Sequence, residues 1–208
     1  MRREHCVKSS LTPLQYIESS GSQWIDTGVK LNQNSRVVCK YIITAYQTAI
    51  RHGSGPFGAR AGYLNNVFGV YSIVNNVRQF SVYYGQEEQN FFINSLQGKT
   101  INLDANKNVW NFTVGTTNYS KTFSSQTFQN QGNLYLFKWD YWEEHPNNNG
   151  IDPDLTDGGI RMLECDIYDN GTKIRQYRPN LNGNEAGLFD EINNVFYGNS
   201  GTEQFLYA

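Results

Sequence analysis

Glu164, Asp166 and Asp169 stand at E-x-D-x-x-D spacing. On an extended chain, residues i and i+2 project from one face about 6.5 to 7 Å apart. Retaining glycoside hydrolysis uses two carboxyl groups roughly 5 to 5.5 Å apart, so Glu164 and Asp166 are the pair that could serve as nucleophile and acid. The charged outer face of a half-buried strand explains the same residues. Asp169 also opens the turn signal Asp169-Asn170-Gly171. The structural explanation is the stronger one, and no catalytic residue is expected. Other nucleophile arrangements fail on inventory, because His5 and His52 lack suitable partners and no Gly-x-Ser-x-Gly elbow occurs. Gly53-Ser54-Gly55 lacks the Lys and Ser/Thr of a phosphate loop and reads as a turn.

The segment from Lys138 to Gly159 is long and aperiodic, and such loops are more often functional than decorative. It carries Tyr141 and Trp142, which either offer stacking platforms to the apolar faces of sugar rings, with Asp140, Glu143, His145 and Asn147 as polar neighbours, or pack back onto the sandwich or a neighbouring subunit. Trp139 continues the alternation of Tyr135 and Phe137 and belongs to the core on that count. Asp152, Asp154 and Asp157 offer the oxygen donors that Ca²⁺ selects, without the register of an EF-hand loop. A solvated acidic loop is the competing explanation, and no cofactor besides Ca²⁺ is suggested.

These groups must be positioned by strands. The chain has 208 residues and is 14% aromatic, and it pairs abundant Asn with 19 Gly, a balance that favours strands and turns over helices. Trp110, Phe112 and Val114 alternate with Asn111 and Thr113, and Phe80, Val82 and Tyr84 repeat the period. Leu163, Cys165 and Ile167 are expected on one face of a further strand. Asn-rich turn signals separate these runs, at Asn65-Asn66, Asn75-Asn76, Asn106-Lys107-Asn108 and Asn193-Asn194. Only Leu11 to Glu18 shows even two turns of helical spacing, so parallel βαβ units are not expected. The fold class is all-β, an antiparallel sandwich or barrel, with residues 1–10 as a flexible arm and 11–208 as one continuous domain.

Charge excludes further classes. A net charge of −2, with the 17 basic residues scattered, gives no footprint for nucleic acid. No apolar run approaches the ~20 residues of a membrane helix. The charged start lacks the apolar core of a signal peptide, so synthesis in the cytoplasm is expected. The Asn-x-Ser/Thr matches at Asn111, Asn118 and Asn170 then carry no glycosylation meaning. Of three cysteines, Cys39 and Cys165 read as small buried hydrophobes and Cys6 as part of the arm.

Two segments carry a family likeness. The opening Leu14-Gln15-Tyr16-Ile17-Glu18-Ser19 and Trp24-Ile25-Asp26-Thr27-Gly28 is the first. The second is the closing series Ile167 to Gly171, Ile174-Arg175, Pro179, Gly187-Leu188-Phe189-Asp190, Phe196-Tyr197 and Gly201-Thr202. Together they resemble the laminin G-like, concanavalin A-like modules of bacteriophage and prophage tail-associated proteins. Phe57 to Arg60 and Leu134 to Phe137 are similar to that family's weaker central signals, and Lys138 to Gly159 departs from it. The resemblance implies a two-sheet jelly roll with first and last strands adjacent. It also implies adhesion or display on a virion, through a tail- or head-associated protein, with a bacterial surface glycan or host receptor as partner. The arm would contact other virion proteins, and a homo-oligomer is compatible with this role. A purely structural decoration protein and a glycoside hydrolase are the alternatives. Tyr16, Trp24, Ile25, Phe189 and Phe196 read as core, and Asp26 and Asp169 as turn residues.

Overall fold

The computed structural model describes residues 3–5, 10–45, 54–59, 66–74, 78–138 and 159–208. Its strands are β1 (Arg3–His5), β2 (Leu11–Pro13), β3 (Ile17–Ser19), β4 (Ile25–Asp26), β5 (Ser35–Ile43) and β6 (Ser54–Ala59). There follow β7 (Val67–Val74), β8 (Arg78–Gly85), β9 (Glu87–Phe92), β10 (Thr100–Asn106), β11 (Val109–Val114) and β12 (Thr117–Thr122). The last are β13 (Tyr135–Leu136), β14 (Ile160–Asp169), β15 (Thr172–Asn182), β16 (Glu185–Asp190), β17 (Val195–Tyr197) and β18 (Leu206–Tyr207).

The larger sheet runs β1-β17-β16-β15-β14-β5-β10-β11-β12, with β2 on β15, β3 on β14 and β18 on β3. The smaller runs β4-β13-β6-β7-β8-β9. Neighbouring strands are antiparallel in both, and the chain passes repeatedly from one sheet to the other. This is an all-β, two-sheet antiparallel jelly-roll sandwich. The last strand, β18, pairs with β3, and the first, β1, with β17, so strands from the two ends of the chain interleave in the larger sheet without the first and last being direct neighbours. Within the segment read as an arm, Arg3–His5 pair with Val195–Tyr197 at the sheet edge.

Period-2 alternation builds the core. Along β5 every second residue is buried, which sends Val37, Cys39, Tyr41 and Ile43 inward. From the larger sheet Trp110 and Phe112 meet rings of the smaller one. Phe80 stacks on Phe112 at 4.6 Å between ring centres, and Phe68 lies 5.0 Å from Trp110. The Trp110 indole N–H donates to the Lys107 carbonyl at 2.9 Å, so this buried donor is satisfied. Among the described turn signals, Asn66, Lys107 and Asn194 take positive φ, while Asn65, Asn75 and Asn76 lie outside the described residues.

Several expectations need correction. Leu163 does not share a face with Cys165 and Ile167. Met162 pairs with Tyr41 and Glu164 with Lys40, so Leu163 is the extra residue of a bulge that inverts the phase of β14. Tyr16 and Trp24 are half-buried rather than core. The Arg161 guanidinium covers the Tyr16 ring at 3.9 Å, and Trp24 leans on Tyr135 at 4.9 Å. Ile17 and Ile25 take the core positions instead, while Phe189 and Phe196 form a separate small cluster with Leu11. Ser54 and Gly55 belong to β6 rather than to a turn, with an irregularity between Ser54 and Phe57. Leu11 to Glu18 forms β2 and β3 and no helix.

Asp190 is fully buried yet satisfied. Its carboxylate accepts the backbone N–H groups of Gln176 and Ile192 at 3.0 and 3.1 Å and the Asn193 amide at 2.6 Å, with Arg175 Nε 3.5 Å away. The Gly187 to Asp190 signature is thus structural: Asp190 closes the turn into β17, and Gly187 leaves the space that the Phe196 ring fills.

Two predictions follow from this core. Trp110→Ala removes the ring that spans the sheets and should cost about 3–5 kcal/mol in urea unfolding. The second concerns pH. Burial pushes the Cys39 and Cys165 thiols well up from their ordinary value of 9.0. Above about pH 9 the unfolded chain therefore releases protons that the folded chain keeps, and stability falls as pH rises. Each thiol contributes about 1.4 kcal/mol per pH unit. Urea titrations from pH 8 to 10 should show this slope, and a Cys39→Ala/Cys165→Ala double variant should flatten it.

Candidate functional site

The alternation that fills the core also composes the outer face of the larger sheet. Strand register lines up two rows across β12, β11, β10, β5 and β14. One reads Asn118, Thr113, Asn102, Lys40 and Glu164, and the other Ser120, Asn111, Asp104, Val38 and Asp166. Five strands at ordinary spacing make each row roughly 19 Å long. A hollow of about 500 Å³ lies over the rows, within the size range of ligand sites.

The charges in and beside it are mostly matched. Arg36 grips Asp104 with two 2.7 Å hydrogen bonds, and that contact holds the guanidinium pKa above its usual value. Asp166 accepts from Lys173 at 2.7 Å and from Arg178 at 2.8 Å. The hydrogen bond to Asp166 raises the Lys173 pKa. For Arg178, desolvation is the largest influence and pulls downward, but Asp166 together with Glu164 and Glu191 more than offsets it. Glu164 is half exposed and lies 3.8 Å from Arg178. Lys40 makes no ion pair among the described residues.

The uncharged groups are mostly unspent. The Asn102 amide donates to the Thr113 hydroxyl at 3.0 Å. The side chains of Asn111, Asn118 and Ser120 have no hydrogen-bond partner among the described residues. Amides and hydroxyls both donate and accept, so this surface suits a ligand rich in hydroxyl groups. No cluster of three His, Cys, Asp or Glu able to hold a metal occurs among the described residues.

Glu164 and Asp166 do share the outer face, as i, i+2 spacing predicts, but two cations hold the Asp166 carboxylate. Asp169 stands apart at the hairpin end, accepting the Asn32 side-chain amide at 3.2 Å, while Asn170 and Gly171 take positive φ. Its partners are side-chain amides rather than the backbone N–H groups expected. Asp26 is a turn residue, accepting the Gly28 N–H at 2.7 Å and the Asn133 amide at 3.0 Å. Trp139, Asp140, Tyr141, Trp142, Glu143, His145 and Asn147 lie outside the described residues, as do Asp152, Asp154 and Asp157.

Sequence reasoning missed the Asn/Thr/Ser rows, although the signal was present. Asn111-Phe112-Thr113 and Asn118-Tyr119-Ser120 are polar-apolar-polar triplets on adjacent strands.

No family model matches the chain, and no curated protein matches it. Among solved structures, the chain is similar to domains LG4-5 of the mouse laminin alpha1 chain. That likeness has a TM-score of 0.45 and 14% identity, over 92% of this chain and 48% of the other, so this chain spans about half that length. It is also similar to a variant of the GH43 protein BlXynB from Bacillus licheniformis. There the TM-score is 0.36 and the identity 8%, over 65% of this chain and 27% of the other.

Asp166→Ala should cost roughly 1–3 kcal/mol, because it takes from Lys173 its carboxylate partner and leaves Arg178 only the longer contact to Glu164. Asp104→Ala should cost no more than about 1 kcal/mol, its partner being better solvated. Paired urea titrations at low and high salt measure both.

Proposed function

We propose that this chain is a non-catalytic glycan-recognising or adhesive module of a bacteriophage virion, carried at the tail or head, and that the outer face of its larger sheet is the recognition surface. One observation carries this reading: amides and hydroxyls on β10, β11 and β12 line up beneath a hollow of about 500 Å³, while the neighbouring carboxylates Asp104 and Asp166 are neutralised by their own cations. A polyhydroxylated chain can both donate to and accept from these amides and hydroxyls, with Lys40 and Glu164 as further partners at the other end of the hollow. The phage setting rests on the sequence resemblance. The loop of Asp140 to Asn147 and the acidic Asp152, Asp154 and Asp157 stay as a second contact region, with Ca²⁺ as its candidate ion.

Purified protein on an array of bacterial surface glycans, with and without calcium, should retain at least one glycan. Asn111→Ala and Asn118→Ala should each weaken that binding by about tenfold, the cost of a lost hydrogen bond or two. Silence across the array would remove the recognition reading. Retained glycans with unchanged affinity in both variants would move the site off this face.

The alternative of a structural decoration protein has its own observation, since Phe92 at the end of edge strand β9 is 70% exposed, as a subunit contact would require. Deleting residues 140–157 separates the two: loss of host attachment favours recognition, and loss of particle assembly favours decoration. Hydrolysis stays the least supported, because the engaged Asp166 is a poor nucleophile. Reducing-end release that Glu164→Gln and Asp166→Asn both abolish would reinstate it.

A further inference from the structure

Cys39, on a strand that floors the groove, and Cys165 both turn buried side chains into the sandwich. They come from the central strands β5 and β14, far apart in the chain, and the register sets them directly opposite one another. Both are buried and both are free thiols. Opposed residues of an antiparallel pair have Cα atoms about 4.5 to 5.5 Å apart, inside the 4.4 to 6.8 Å that a disulfide spans. Their Cβ atoms start about 4.5 to 5.5 Å apart and need only close to roughly 3.5 to 4.5 Å. The Leu163 bulge lies two residues away on β14 and gives that strand a locally irregular ladder in which to make the adjustment.

We propose that Cys39 and Cys165 form a modification site, a cross-strand dithiol that a small-molecule disulfide such as glutathione disulfide closes while the chain folds, and that the finished sandwich then preserves whichever state was set. The chemistry is two successive exchanges. The thiolate of one cysteine attacks a sulfur of the oxidant, forming a mixed disulfide and expelling one small thiolate. The second cysteine's thiolate attacks the protein sulfur of that mixed disulfide and expels the other. The protein loses two protons and two electrons, and the oxidant is reduced to two thiols.

Timing follows from burial. Exchange needs a thiolate and access, and in the closed sandwich both sulfurs are covered and their thiols are held protonated. The reactive window is therefore the interval before the smaller sheet covers β5 and β14. A bridge between these strands closes a loop on the order of a hundred residues, which restrains the unfolded chain strongly.

The test uses the full chain carrying Cys6→Ser, synthesised in a cell-free system with either dithiothreitol or a glutathione/glutathione disulfide mixture. In the oxidising mixture alone, intact mass should fall by two hydrogens and a non-reduced digest should contain the Cys39–Cys165 cross-linked peptide. The bridged protein should melt roughly 5–15 °C above the reduced one. Reduced protein folded first and then moved to the oxidising mixture should keep both thiols at least tenfold longer than the nascent chain does. Folded protein from the oxidising synthesis in which both cysteines alkylate after denaturation would overturn the site. Closure as fast in prefolded as in nascent protein would overturn the timing.

Discussion

Phe80 stacked on Phe112, and Phe68 set against Trp110, fix the distance between the two sheets. The spacing of the layers, the burial of every second residue on β5 and the composition of the outer face all depend on these rings staying in register. A large ring buries more apolar surface than an aliphatic side chain, so a few such contacts hold two broad sheets together. The cost is polar tails that need partners, and Trp110 meets it through the Lys107 carbonyl in the turn between β10 and β11. The Tyr41 and Tyr177 hydroxyls are buried without a hydrogen-bond partner among the described residues. Tyr41 stands two residues from Cys39 on β5, and Tyr177 on β15 is the register partner of Cys165 on β14.

The same strands answer to both faces. Each residue of β5, β10 and β11 that turns inward dictates that its neighbour turns outward, so the rows of amides and hydroxyls are the complement of the aromatic core. Ion pairs then sort the outer face: Arg36 with Asp104 and Lys173 with Asp166 withdraw carboxylates from other partners. The face is thereby divided into an uncharged end on β11 and β12 and a charged stretch on β5, β14 and β15, without any dedicated loop.

Much of the fold was legible in the chain. The alternation in 110–114 and 80–84 identified core strands correctly, and Lys107, Asn170 and Asn194 took the conformations their turn signals implied. The bulge was not legible, because Leu163 is as apolar as its neighbours and only the partner strand reveals which residue is extra. Tyr16 and Trp24 misled for a related reason: a large ring at a strand signature can lie on either side of a sheet, and here each is covered by Arg161 or Tyr135 rather than by the opposite sheet. The candidate site was hidden by its ordinariness. Asn111 and Asn118 matched a modification pattern, and only pairing between strands turns two such triplets into a continuous surface. Nothing in the spacing of Cys39 and Cys165 foretold that they would face one another.

The Leu163 bulge divides β14 into two lengths of opposite phase. Upstream of it, Ile160 and Met162 point into the sandwich; downstream, Cys165 and Ile167 do so and release Glu164, Asp166 and Tyr168 to the exterior. The strand therefore carries a frame boundary in its middle. Length changes before that boundary can be absorbed by sliding the extra residue along the ladder, whereas the same change after it would drive carboxylates into the hydrocarbon layer. Drift in chain length over evolutionary time should accordingly be one-sided on this strand, with the stretch leading to Leu163 free to vary and the stretch beyond it held to a fixed count.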